Sequence, residues 1–258
     1  LSEMREAGLS YTELGPVGFI PGTPADQRDM LASFDLRALG SFNPIVLHAK
    51  PETIEPVVEG ILDAFDTLGA KVMVIAADSG LTGYDVRPAL DDDEWKQLIE
   101  NLERITARAA ERGVQACLHP HVGTTVETRS EVYRFLDDCE VPLCIDAGHL
   151  LVGGTDPVEL VHAAADRIVH VHLKDVDLAL MDSVRSSERT YTEAVRDGMY
   201  RVLGEGGIDL REIVRFLESR GYSGWYVPEQ DRVLAAEPGE DGPLADIRAS
   251  VEFLRSLG

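Results

Sequence analysis

Short apolar runs alternate along the chain with longer stretches whose apolar residues recur every three or four positions. The short runs, such as KVMVIAAD (residues 71–78) and DRIVHVHLKD (166–175), are too short for helices and suit buried strands. The longer ones include PETIEPVVEGILDAFDTLG (51–69) and DDDEWKQLIENLERITARAAERG (91–113), both with helical spacing. Proline fits a first turn, acids fit a helix start, and Gly69 and Gly113 make good stops. Pro56 marks either a kink or a later start. Asp156-Pro157-Val158-Glu159 and Asp209-Leu210-Arg211-Glu212 each read as a cap followed by a helix.

Read in order, the chain opens on a helix up to Gly8, then a short strand in YTELGP, a helix in PADQRDMLASFD and a strand region ending at His48. Further strands are VQACLHPH, VPLCIDAGH and GWYVPEQD; TRSEVYRFLDD and the closing ADIRASVEFLRSL are helices. The pattern predicts seven strands and eight helices in alternation, which argues for a parallel α/β sheet. Polar clusters end consecutive strands at 119–121, 146–149, 170–175 and 229–231. A glycine-rich dinucleotide turn after the first strand is missing, and four converging clusters favour a closed barrel over an open sheet. The expected architecture is one (β/α)8 TIM barrel over residues 1–258, one strand short at its front. The less regular residues 176–208 are its lid or insertion between strands 7 and 8.

The ends of these strands carry ligand-type side chains. Asp146, His172 and Glu229, with Glu127, make a set of three carboxylates and one imidazole. That set suits Mn²⁺, Co²⁺, Mg²⁺ or Zn²⁺ with positions left for a substrate. Side chains alternate along a strand, so His170, His172 and Lys174 share one side, with His170 deeper. Singly, each has a plain structural reading: Asp146 as a helix cap, His149 as a loop residue, HVHLKD as a buried strand, Glu229 as a partner of a helix arginine. Four such coincidences at four strand ends are harder to accept than one site. Glu13 and His48 also lie near strand ends, where facing the mouth and packing are equally good readings. The lid segment adds Arg185, Tyr191, Arg196 and Tyr200.

Composition narrows the partners. The 258 residues carry 24 Lys and Arg against 46 Asp and Glu, a formal net charge of −22. Such a surface repels phosphate backbones, which argues against nucleic acid, membrane surfaces and highly anionic substrates. Cys117, Cys139 and Cys144 lack CxxC spacing and read as small core residues in a reducing compartment. With no run of transmembrane length and no visible signal peptide, a cytoplasmic protein is expected, and a homo-oligomer is left open.

HPHVGTTVET, IDAGH, HVHLKD, GEGGIDL and GYSGWYVPEQD, in this order and spacing, resemble the xylose-isomerase-like TIM barrels of sugar isomerases and epimerases, most nearly the inosose dehydratase branch. The resemblance implies a divalent metal held by Glu127, Asp146, His172 and Glu229, with His119 or His121 as replacements for Glu127. It implies His149 as a substrate-contacting histidine and Lys174 as an acid/base or electrostatic group. The implied chemistry is proton abstraction beside a carbonyl of a sugar or cyclitol, giving isomerisation, epimerisation or dehydration. The catalytic candidates are His121, His149, Lys174 and Glu229; the substrate-binding candidates are Glu13, His48, His119 and Arg196. Three alternatives are a carbon–glycoside-cleaving lyase, a non-catalytic sugar-binding barrel and an endonuclease of abasic DNA, the last disfavoured by the charge.

Overall fold

A computed structural model describes residues 1–15, 18–234 and 242–257. These form two compact units, one of residues 1–80 and 89–119, the other of residues 81–88 and 120 onward.

The first unit contains α1 (Ser2–Glu6), β1 (Tyr11–Leu14), α2 (Pro24–Ser33), β2 (Arg37–Ile45), α3 (Pro51–Leu68), β3 (Val72–Ala77), α4 (Asp92–Glu111) and β4 (Gln115–Leu118). Strands β1 to β4 pair in sequence order and all in parallel. Pro16, the end of the expected first strand run, lies outside the described residues. Helix α3 buries Ile54, Val58, Leu62, Phe65 and Leu68, a stripe at helical spacing. Each such side chain contributes about 1.5–3 kcal/mol on burial. The helix runs through Pro56 and stops at Gly69, whose φ of +74° is the left-handed stop the sequence predicts. On α4, Asp91 and Glu94 form a capping box. The Asn101 amide donates to the Leu47 and Ala49 carbonyls, 2.8 Å each, fixing the turn beside His48.

The second unit contains α5 (Arg129–Asp138), β5 (Leu143–Asp146), α6 (Ala147–Val152), α7 (Pro157–Ala164), β6 (Ile168–Leu173), β7 (Asp175–Val176), α8 (Leu178–Arg185), α9 (Tyr191–Arg196), β8 (Tyr200–Arg201), α10 (Leu210–Ser219), β9 (Tyr226–Pro228) and α11 (Pro243–Arg255). Strands β5, β6 and β9 are parallel neighbours, while β7 and β8 form a short antiparallel pair. All three cysteines are buried and unbridged. Among the described residues no helix is long and apolar enough to cross a membrane.

Two expectations need correction. The strand expected through IDAGH ends at Asp146, and Ala147–Val152 is helical, because the Asp146 carboxylate caps the helix by accepting from the His149 N–H. The segment 176–208 is more regular than expected: Asp177 caps α8, and Thr190 with Glu193 forms a capping box on α9. The sequence TYTE carries that second signal openly.

Candidate active site

The β5–β6 register sets Asp146 directly beside His172, so their side chains leave the sheet on one face. The Glu229 N–H donates to the Leu173 carbonyl at 3.0 Å, which prolongs the β6–β9 pairing and brings Glu229 to the same strand ends. Asp146 and His172 are fully buried, and Glu229 is partly exposed. His172 Nδ1 lies 3.2 Å from Glu229 Oε1 and 4.0 Å from Asp146 Oδ2. Metal–ligand bonds of about 2.0–2.2 Å place two donors on one ion roughly 3–4 Å apart, and both distances from His172 are of that size.

Lys174, next along the chain, is 2 % exposed. Its ammonium lies 2.9 Å from Asp146 Oδ2 and 3.5 Å from Asp231 Oδ2 and is also hydrogen-bonded to Glu229. Burial opposes the charge, but Asp146, Glu229 and Asp231 together overcome it and hold the ammonium well above the usual lysine range. Lys174 therefore carries its proton near neutral pH and donates hydrogen bonds to these carboxylates.

Two further histidines adjoin this group. The His121 and His149 rings stack at 3.6 Å between centroids, and His149 Nε2 lies 3.9 Å from Asp231 Oδ2. His121 Nδ1 is 2.7 Å from the Val122 carbonyl. Loss of solvent, and then the Lys174 charge, push the His121 pKa down, so the ring stays neutral near neutral pH and able to take a proton. Tyr191 and Tyr200 hydroxyls hydrogen-bond at 3.0 Å, and Tyr200 Oη lies 3.4 Å from His149 Nδ1. Burial pushes both phenol pKa values up, keeping them neutral donors.

The structure thus brings together His121, Asp146, His149, His172, Lys174 and Glu229. His170 sits beside His172, ring centroids 5.2 Å apart. Glu127 is engaged elsewhere: its Oε2 accepts from the Gly123 N–H at 2.7 Å and pairs with Arg87 Nε at 3.3 Å. Among the described residues, no cluster of three or more ligand atoms includes it. Arg196 is exposed on α9 near Glu193 and Asp197. Glu13, His48 and His119 belong to the first unit. There Glu13 is half-buried on β1, His48 follows β2 with a buried Nδ1 that makes no hydrogen bond, and His119 is buried edge-on against Phe42.

Sequence reasoning missed Asp231 and the segment 81–88. Asp231 follows Glu229 at the alternation that puts both on one side, a signal that was available. The segment 81–88 gave none. It joins the second unit through Arg87, which pairs with Glu131 at 2.7 Å, through Asp85, which accepts the Tyr191 N–H at 2.8 Å, and through Tyr84, 4.8 Å from the Tyr191 ring.

A family model described as xylose isomerase-like TIM barrel matches residues 1–257, and the chain belongs to that family. The expected fold class is borne out. The chain is 33% identical over 255 residues to an inosose dehydratase of Lacticaseibacillus casei, covering 95% of this chain and 84% of that protein. It is 35% identical over 271 residues to the rhizopine catabolism protein MocC of Rhizobium meliloti, covering 100% and 80%. Its fold is similar to that of the IolI protein with a bound zinc atom, with TM-score 0.71, 17% identity, and coverage of 99% of this chain and 90% of that one.

Proposed function

We propose that this protein is a divalent-metal-dependent dehydratase of a keto-cyclitol or keto-sugar, removing a proton beside a carbonyl. The supporting observation is the buried Asp146–His172–Glu229 donor set with Lys174 hydrogen-bonded to two of its members, in a chain 33% identical to an inosose dehydratase. Asp146, His172 and Glu229 hold the ion, which supplies Lewis-acid stabilisation of negative charge on the substrate's carbonyl oxygen.

The remaining steps belong to the chain. Neutral His121, stacked on His149, takes the α-proton. The β-hydroxyl departs as water with a proton from Lys174, which is held among Asp146, Glu229 and Asp231 and is left as the neutral amine. One C–H and one C–O bond break, a C=C bond forms, and no redox change occurs. Such acid–base groups contribute about 10²–10⁴-fold each. The lid residues Tyr191 and Tyr200 cover His149 and exclude water. An acidic surface suits an unphosphorylated substrate.

The test is a panel of inososes and keto-sugars incubated with the Mn²⁺-loaded protein in D₂O and followed by NMR. Deuterium at an α-carbon and loss of a hydroxyl are expected. Exchange without loss of hydroxyl reassigns the reaction to epimerisation, and no exchange with any member refutes the proposal.

A further inference from the structure

Resting on the proposed metal site, we infer that Asp231 is a positioning residue that takes over the Lys174 charge when Asp146 and Glu229 bind a cation. The oxygen bookkeeping of the cluster leads there. Asp146 Oδ1 accepts the His149 N–H, whereas the ammonium lies on Oδ2. Oδ2 receives Lys174 at 2.9 Å and also faces His172 Nδ1 at 4.0 Å. Glu229 is divided in the same way, Oε1 toward His172 and Oε2 toward Lys174. An ammonium and a dication therefore compete for the same carboxylates, and like charges that close in a buried site repel strongly.

Lys174 cannot escape into water, because it is 2 % exposed and its stem is packed. Asp231 is the third carboxylate in reach, at 3.5 Å, and it is the most open of the three, 44% exposed against 27% for Glu229 and 0% for Asp146. The Tyr200 ring, its centroid 5.8 Å from Nζ, is a further surface favourable to the cation. Asp231 Oδ2 is also 3.9 Å from His149 Nε2. Transfer of the ammonium toward Asp231 thus carries it toward His149. Metal loading and placement of the acid become one event, with Asp231 as the pivot.

The test is a double-mutant cycle read by Mn²⁺ affinity, measured by competition with a chelating dye and independent of turnover. Lys174→Met is expected to bind Mn²⁺ about tenfold more tightly and Asp231→Asn about tenfold more weakly, the coupling expected of contacting charges. In the Lys174→Met background, Asp231→Asn is expected to change affinity by less than about threefold. Equal losses in both backgrounds make Asp231 a plain charge on the ion and overturn the inference, as does an unchanged affinity in Asp231→Asn alone. Should Lys174→Met fail to fold, Lys174→Gln closes the cycle with a neutral donor. A wild-type protein that binds no Mn²⁺ refutes the metal site and the inference together, whereas binding with additive effects refutes the inference only.

Discussion

The His149 N–H donates to Asp146 Oδ1 at 2.9 Å, so the carboxylate proposed to bind metal is also the N-cap of the short helix that carries His149. On that proposal one side chain would hold both the ion and the histidine in register. The two roles separate by substitution. Asp146→Asn keeps a capping oxygen but loses the charge, and Asp146→Ala loses both. Both variants are expected to lose Mn²⁺ affinity at least about 100-fold and all α-proton exchange. Asp146→Ala is expected to be the less stable by about 1 kcal/mol, the usual value of a cap, in denaturant melts. Full activity in either variant sinks the ligand assignment.

Glu127 gives the opposite expectation. Its Oε2 is shared by the Gly123 N–H and Arg87, and Arg87, which also pairs with Glu131, ties down the segment 81–88. Glu127→Gln is expected to leave Mn²⁺ affinity within about threefold of wild type, as for residues without shared partners. It is also expected to speed amide exchange across Leu81–Pro88. A loss of Mn²⁺ affinity above that range restores Glu127 to the metal.

These two residues also mark how far the sequence could be read. Asp146 was legible because strand ends concentrate chemistry and the apolar run before it is unmistakable. Its second role was not, since a residue at the junction of strand and helix has no periodicity to display it. Gly69, Asp156 and Asp209 were legible because caps and stops are local chemistry. The pairing of Glu127 with Arg87 was not legible, because distance along the chain says nothing about which arginine a carboxylate meets. Arg87 lies 40 positions upstream, in a loop without a pattern.

Asp175 organises the backbone that follows β8. Fully buried, it accepts four backbone N–H groups, from Val176, Gly204, Gly206 and Ile208, at 2.9–3.1 Å. Gly206 has no room for a Cβ, which would meet this carboxylate. Asp175→Asn turns one acceptor oxygen into a donor facing N–H groups. It is expected to cost at least about 3 kcal/mol, through charge-assisted hydrogen bonds lost and donors left buried. Urea titration measures the loss, and exchange at Gly204–Ile208 locates it. A change confined to exposed amides elsewhere contradicts the assignment.

His121 predicts a pH dependence whose sign can be worked out. Burial, and then Lys174, lower its pKa below the ordinary 6.5. Between the folded and unfolded values the unfolded state binds more protons, so unfolding free energy rises with pH there. The stabilisation is complete above 6.5 and is lost as pH falls through the folded value. Thermal melts from about pH 7.5 down to about pH 5 are expected to show a falling Tm, with a shallower fall in His121→Gln, which has no proton to gain. If His121 takes the substrate's proton, the acid limb of kcat/KM also lies below 6.5, and it vanishes with the residual exchange rate in His121→Gln. An unchanged acid limb in that variant assigns the base to another group, and an unchanged Tm slope removes His121 from the balance altogether.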